Sequence, residues 1–230
     1  MFPRKEKKPL DLNKHLDFFD PYSIKDGIHV IGCGAIGSTL AEMLTRIGLP
    51  ELYLYDFDTV ASHNIANQMF HFNQIGLTKT QALADILTSI NPDITINQND
   101  QGYTTQPLAG YVFLCVDNID LRRKIVEQNQ YNPHIKAMFD FRMGLTDAQH
   151  YAADWSDPES IKNLLRTMQF THEEAKQITP VNACGTTLSI VSTVRNIVAY
   201  GLANFINFVK SNKLKKLILN DSFDIFVEAF

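Results

Sequence analysis

The chain has 230 residues, of which 45% are hydrophobic and 20% charged, and its formal net charge is -4. This composition is typical of a globular protein with a sizeable core, and it gives no bulk electrostatic attraction to nucleic acid or an anionic membrane. The three cysteines form no Cys-x-x-Cys pair, which excludes a four-thiolate zinc site within one chain and suits a reducing cytoplasm. We therefore expect a cytoplasmic protein that has neither nucleic acid nor a membrane as its partner.

The first half of the chain predicts alternating strands and helices. Residues 1–27 are polar and contain prolines, and we expect them to form an N-terminal arm with room for one short helix. Beyond the arm, short apolar runs predict strands, and apolar residues at helical spacing predict helices. The predicted strands cover 28–31, 52–55, 94–96, 111–116 and 135–141, and the predicted helices cover 36–47, 79–90 and 118–129. This alternation predicts an α/β fold with a mostly parallel central sheet and helices on both faces.

The pattern changes near residue 145. We predict a strand over 150–153, a helix starting at Asp157, and the longest helix over 186–210, where polar residues within the apolar stretch favour burial over a membrane span. Two antiparallel closing strands are predicted over 214–219 and 223–227, joined at 220–222. Without a repeat or linker, 28–230 is assigned to one domain. It divides into a nucleotide-binding half, 28–145, and a divergent half for partner binding and sheet closure, 146–230.

A glycine-rich turn follows the first predicted strand. Gly32-Cys33-Gly34-Ala35-Ile36-Gly37 matches G-x-G-x-x-G, in which the first glycine permits a tight turn, the second lets phosphate approach the backbone, and the third lets helix and strand pack closely. The helix that opens there presents free N–H groups to phosphate. Asp56 ends the next strand, where an acidic side chain binds ribose hydroxyls. These features predict a Rossmann-like nucleotide-binding fold, and the fingerprint alone favours NAD or FAD.

Five later segments argue for a different nucleotide. They are Asp56-Phe57-Asp58-Thr59-Val60, His63-Asn64-Ile65-Ala66-Asn67-Gln68, Ile75-Gly76-Leu77-Thr78-Lys79, Asn91-Pro92, and Cys115-Val116-Asp117-Asn118. In this order they resemble the ThiF, MoeB and ubiquitin-activating adenylyltransferases, a resemblance that covers residues 28–145 and weakens beyond. The chain looks like a compact variant of that family without its zinc cysteines.

The resemblance implies that the chain uses ATP and Mg²⁺ to adenylate the C-terminal glycine carboxylate of a small ubiquitin-like or sulfur-carrier protein, and that it acts as a homodimer. Asp56 resembles the family residue that binds ribose, Lys79 the lysine that contacts phosphates, and Asp117 the aspartate that holds Mg²⁺. The residues implied in nucleotide binding are Gly32, Gly34, Ala35, Gly37, Asp56, Asp58, Asn64, Gln68, Lys79, Asp117 and Asn118. Alternatively, Asp117-Asn118 is only a helix cap, and Lys79 only a solvated lysine.

The chemistry of adenylation agrees with these residue types. A carboxylate that attacks the α-phosphate of ATP brings two anions together, so the site needs cations and dipoles to offset the developing charge. A general base is unnecessary because the attacking carboxylate is already ionised at pH 7. The expected contribution of the protein is therefore positioning and charge neutralisation.

The sequence departs from the family pattern at Asn67, where the family usually has arginine, and in its arm, where no arginine-rich motif is evident. Arg122 and Arg142 are candidate substitutes, and Arg142 is predicted to be catalytic together with Lys79 and Asp117; structural salt bridges are the alternative for both arginines. Cys184 precedes the longest helix, where a thiol can have a lowered pKa, so it is a candidate nucleophile or a buried structural thiol.

Two other functions stay open. The departure at Asn67 is compatible with a nucleotide-binding pseudoenzyme that retains the fold and has lost turnover. The glycine motif is compatible with an NAD-dependent oxidoreductase, although the segment order after Asp56 and the lack of an obvious catalytic Lys/Tyr or His/Asp constellation count against it.

Overall fold

One mixed sheet organises the chain, in a computed structural model that describes residues 10–181 and 188–230. The strands described are β1 Ile28–Ile31, β2 Glu51–Tyr55, β3 Thr95–Asn99, β4 Gly110–Leu114, β5 Ile135–Met143, β6 Asp147–Asp154, β7 Leu217–Asp221 and β8 Phe226–Ala229. Their order in the sheet is β3-β2-β1-β4-β5-β6-β7-β8. The first five strands of that order are parallel, and β6, β7 and β8 follow as antiparallel neighbours. This arrangement confirms the predicted fold class.

Helices cover both faces of the sheet. They are α1 Ala35–Arg46, α2 Lys79–Ile90, α3 Ile119–Asn129, α4 Pro158–Arg166, α5 His172–Ile178 and α6 Val191–Ser211. Apolar side chains of α1, α2 and α6 form a core against one face, and those of α3 and α4 form a second core against the other. Because β1 and β4 lie between the two cores, they are buried along their whole length, which explains their almost uninterrupted apolar sequence.

An aromatic layer joins the two halves of the chain. Phe113 of β4 stacks on Phe139 of β5, with ring centroids 4.9 Å apart, and Phe205 of α6 packs edge-on against both rings. Edge-to-face and offset contacts of this kind add to the stabilisation from burial itself. The nucleotide-binding half and the closing half therefore share one core.

The last helix and the closing strands differ from the sequence prediction. The helix α6 begins at Val191, because Ile190 is extended; the predicted start at residue 186 lies outside the described residues. The final turn occupies 222–225, not 220–222. Asn220 and Asp221 remain in the ladder opposite β8, and the Asp221 carboxylate accepts hydrogen bonds from the backbone N–H groups of Phe223 and Asp224.

The described part of the N-terminal arm packs on the domain. Leu12, Phe19 and Ile24 are buried, whereas Phe18 is exposed. Within residues 10–27 the arm contains a short 3₁₀ helix, Pro21–Ser23, which the Asp20 side chain caps. In the described part of the chain, no helix combines the length and apolar character that crossing a membrane requires.

Candidate functional site

The glycine turn connects the carboxyl end of β1 to the first residue of α1. Gly32 has a φ of +95° and donates its N–H to the Tyr55 carbonyl oxygen at 2.8 Å, so the turn is tied to the end of β2. A Cβ atom at Gly37 would lie 1.8 Å from the Gly32 carbonyl oxygen, whereas at Gly34 it would meet no described heavy atom within 4 Å. The second glycine thus faces open space at the start of α1, where Ala35 is the first helical residue.

Asp56 is attached to this turn. One carboxylate oxygen accepts a hydrogen bond from the Cys33 N–H at 2.6 Å, and the other accepts one from the Asp58 N–H at 2.9 Å. Burial raises the pKa of Asp56, while the nearby Lys79 ammonium opposes the rise. Each oxygen retains acceptor capacity for a hydroxyl group, so the carboxylate is both fixed in place and able to bind ribose.

Lys79 begins α2 and is 7% exposed, which excludes the alternative of a solvated lysine. Its ammonium group lies 2.7 Å from a carboxylate oxygen of Asp58, whose side chain is half exposed. The Lys79 N–H also donates to the Asp58 carbonyl oxygen at 2.9 Å. A cation at a helix N-terminus opposes the helix dipole, and the Asp58 carboxylate compensates for it.

The loop that follows contributes amide side chains. Asn64 is buried, and its side-chain oxygen accepts a hydrogen bond from the Ala61 N–H at 2.8 Å, closing a short 3₁₀ helix. The Gln68 side-chain oxygen is buried and has no hydrogen-bond partner among the described residues. Asn67 donates from its side chain to the Ser189 hydroxyl at 2.7 Å, which connects the loop to the segment before α6.

Asp117 and Asn118 have different local roles. Asn118 caps α3, accepting a hydrogen bond from the Leu121 N–H at 3.0 Å, and therefore satisfies the helix end without Asp117. Asp117 is exposed and forms no hydrogen bond or ion pair with described residues through its carboxylate. The described ranges contain no group of three or more metal-ligating side chains. A single free carboxylate still fits Mg²⁺, because this ion is commonly held by one or two carboxylates plus phosphates and water.

Arg122 and Arg142 share the fully buried carboxylate of Asp140. Arg122 is buried and contacts one oxygen of that carboxylate, and it also donates to the carbonyl oxygens of Val116 and Phe141. Arg142 lies 2.7 Å from the other oxygen and donates to both the carbonyl and the hydroxyl oxygen of Thr167. These contacts favour the structural interpretation of both arginines. A catalytic role for Arg142 stays a prediction that requires it to exchange one of its partners.

Two of the three cysteines lie in the described part of the chain, and both are buried. Cys33 and Cys115 are buried, and burial raises the pKa of both thiols well above the ordinary value, which suits a structural role. Cys184 lies outside the described residues, so its proposed role as a nucleophile stays a prediction.

Sequence reasoning missed two groups at the same edge of the sheet, Asp100 and Arg195. The Asp100 carboxylate, just after β3, accepts a hydrogen bond from the Thr80 hydroxyl at the start of α2. Arg195 of α6 donates to the Thr39 hydroxyl of α1 at 2.8 Å. Asp100 was detectable as an acidic residue after a strand of the parallel sheet, and Arg195 as a lone cation within an apolar helix.

A match to a known protein family covers the predicted residues of this site. The model of the ThiF family matches residues 25–194, a range that includes every predicted site residue. The chain belongs to the ThiF family. Among curated relatives, ubiquitin-like modifier-activating enzyme 5 of Oryza sativa subsp. japonica is 45% identical over 78 residues, covering 34% of this chain and 18% of that protein. The Caenorhabditis elegans enzyme of the same name is 34% identical over 115 residues, covering 43% and 27%. This ThiF-family chain therefore spans less than a third of the length of either relative.

Solved structures share the fold. Escherichia coli MccB, in a structure with ATP, has a TM-score of 0.63 and 18% identity to this ThiF-family chain, covering 90% of it and 63% of MccB. PaaA has a TM-score of 0.71 and 12% identity, covering 100% of this chain and 77% of PaaA. At these identities the likeness establishes the fold alone.

Proposed function

We propose that this chain is an ATP-dependent adenylyltransferase. It activates the C-terminal carboxylate of a small ubiquitin-like or sulfur-carrier protein that ends in glycine. The observation that carries the proposal is the hydrogen bond that holds the Asp56 carboxylate against the glycine turn, 2.6 Å from the Cys33 nitrogen. In the proposal, this carboxylate accepts from the ribose and the adjacent N-terminus of α1 binds phosphate, while Lys79 and Asp117 lie at the same edge of the sheet.

The reaction forms one bond and breaks another. A carboxylate oxygen of the partner attacks the α-phosphorus of ATP, and the bond from that phosphorus to the bridging oxygen breaks to release pyrophosphate. In the proposed arrangement, the backbone N–H groups after Gly34 and the ammonium of Lys79 stabilise the negative charge of the phosphates. Mg²⁺, when bound by Asp117 and the phosphates, would neutralise further charge there.

The relatives support the class of partner. Two of them are named ubiquitin-like modifier-activating enzymes, which agrees with a protein carboxylate as the acceptor of the adenylyl group. The partner's identity, a homodimeric assembly and a cytoplasmic location are parts of the same proposal. They rest on the family resemblance and, for the location, on the few cysteines.

A nucleotide-binding pseudoenzyme is the second candidate. It is favoured by Asn67, which is engaged with Ser189, and by the pairing of both Arg122 and Arg142 with Asp140. In this case ATP binds, but the charge that develops during transfer is not sufficiently stabilised.

The deciding experiment is ATP–pyrophosphate exchange with Mg²⁺ and a panel of small proteins that end in glycine. We expect exchange that depends on one partner and falls roughly 100-fold or more in the Asp117→Ala variant, since Asp117 would hold the metal. Asp93→Ala is the matched control. It removes an exposed carboxylate that precedes β3, at the opposite edge of the sheet, and should leave exchange unchanged.

The other outcomes separate the candidates. Exchange that persists in the Asp117→Ala variant contradicts the metal-binding assignment. The pseudoenzyme is favoured if the chain binds ATP but shows no exchange with any partner tested, and if the Asn67→Arg variant, which introduces the family arginine, shows none either.

A further inference from the structure

Four cationic side chains are described at the carboxyl edge of the sheet, and three of them already hold a carboxylate. Lys79 is paired with Asp58, and Arg122 and Arg142 share Asp140. Among the described residues, Arg195 forms no ion pair, and its only hydrogen bond is the one to the Thr39 hydroxyl. Arg195 is partly buried, and no carboxylate of the described residues pairs with its positive charge.

The position of Arg195 is set by two helices. Thr193, two residues earlier, donates its hydroxyl to the Leu145 carbonyl oxygen at 3.0 Å, so the first turn of α6 lies just beyond the carboxyl end of β5. On the α1 side, the Thr39 hydroxyl that receives the Arg195 hydrogen bond donates in turn to the Ala35 carbonyl oxygen at 2.8 Å. The guanidinium therefore lies about one helical turn from the first residue of α1.

The start of α1 is where the glycine turn leaves space for phosphate. A nucleoside triphosphate brings several negative charges to that space, and the backbone N–H groups alone do not neutralise them. Arginine is well suited to the task because its planar guanidinium donates several hydrogen bonds to phosphate oxygens and stays charged at every relevant pH. The long side chain can turn from Thr39 towards the phosphates while α6 stays packed on α1.

We propose that Arg195 binds the β- and γ-phosphates of the nucleotide, a role that rests on the proposed function of the site. When no nucleotide is bound, the hydrogen bond to the Thr39 hydroxyl keeps the guanidinium group close to the start of α1. Arg195 thus adds a positive charge from α6, an element of the divergent half of the chain, to the charge that Lys79 supplies to the phosphates.

The test is calorimetric titration of the purified full chain with MgATP and, separately, with AMP. We expect Arg195→Ala to weaken ATP binding about tenfold to a hundredfold, the usual effect of losing a charge-assisted hydrogen bond, and to change AMP binding by less than about twofold. Arg46→Ala, which removes an exposed arginine paired with Glu42 on α1, should change neither affinity.

A second variant tests whether the charge itself matters. The 2.7 Å contact of Asn67 with Ser189 places position 67 beside the segment that leads into α6. We expect Asn67→Arg, added to Arg195→Ala, to restore ATP affinity to within severalfold of the wild-type value. A purely structural contact between α6 and α1 would not be restored in this way.

Three results overturn the inference: ATP affinity that is unchanged in Arg195→Ala, equal losses for ATP and AMP, or ATP affinity that stays low in the double variant. A wild-type chain that binds no ATP contradicts the proposed function instead, so the two failures are distinguishable.

Discussion

A methyl group added at Gly37 would lie 1.8 Å from the Gly32 carbonyl oxygen, whereas one added at Gly34 would meet no heavy atom of the described residues within 4 Å. We therefore expect Gly37→Ala to lower the free energy of unfolding by about 1–3 kcal/mol or more, because helix and turn must separate.

Gly34→Ala should change the free energy of unfolding by less than about 1 kcal/mol but weaken ATP binding, since the methyl group enters the space proposed for phosphate. Urea denaturation and calorimetric titration of the two variants measure both effects. Normal ATP affinity in Gly34→Ala contradicts the proposed phosphate position.

The contact between β6 and α6 contains a buried histidine whose protonation the fold opposes. Asn204 donates from its amide nitrogen to His150 Nε2 at 3.2 Å, so the ring is neutral and carries its proton on Nδ1. The opposite end of this amide is fixed, since its oxygen accepts the Lys215 N–H. Burial lowers the pKa of His150 from 6.5 to about 4, despite the nearby Asp140 carboxylate.

This helix–strand contact makes stability depend on pH. Between pH 6.5 and 4 the unfolded chain binds a proton at His150 that the native chain does not, so the free energy of unfolding falls as the pH falls. The loss is at most about 3 kcal/mol for a group with this shift. Burial shifts the pKa of His29 in the same direction, also to about 4, so it adds to the loss.

We expect His150→Gln to reduce the dependence of unfolding free energy on pH across this window, whatever its effect on stability at pH 7. Urea denaturation at a series of pH values measures the slope. His134→Gln, which replaces an exposed histidine, is the control and should leave the slope unchanged. A slope that is the same in His150→Gln and wild type means that this histidine is not buried in its neutral form.

At the scale of the whole molecule, the two halves of the chain share their core, and we expect them to unfold together. Phe205 of α6 is fully buried against Phe113 and Phe139, so Phe205→Ala should cost about 3–5 kcal/mol. The only tryptophan, Trp155, lies in the core on the other face of the sheet, where its ring nitrogen donates to the Asn129 carbonyl oxygen. Trp155 fluorescence and far-ultraviolet circular dichroism should therefore report one coincident transition, in the variant as in the wild type.

The matched variant is Phe223→Ala, which removes an exposed phenylalanine from the last turn and should change the free energy of unfolding by about 0.5 kcal/mol or less. Separate transitions for the two probes would show that 28–145 and 146–230 are distinct folding units, contrary to the single domain proposed for 28–230.

The sequence by itself determined the elements and the local chemistry of the nucleotide-binding half. The glycine turn and the strand that precedes it follow from rules that act between near neighbours, such as the need of Gly32 for a positive φ. The order of segments from Asp56 to Asn118 was enough to indicate the family, which the comparison confirms. The same local rules failed at Ile190, where an apolar residue with helical spacing is extended and α6 begins one residue later.

Only the tertiary structure decided which side chains meet. The ion pairs of Lys79 with Asp58 and of Arg122 with Asp140, and the hydrogen bond of Arg195 to Thr39, each join residues that are distant in the chain. A residue's type and its neighbours in sequence do not specify these partners, because they depend on strand register and on how α6 packs against α1. The number of cations in the sequence was therefore known at once, but the fold determined which of them has no carboxylate partner among the described residues.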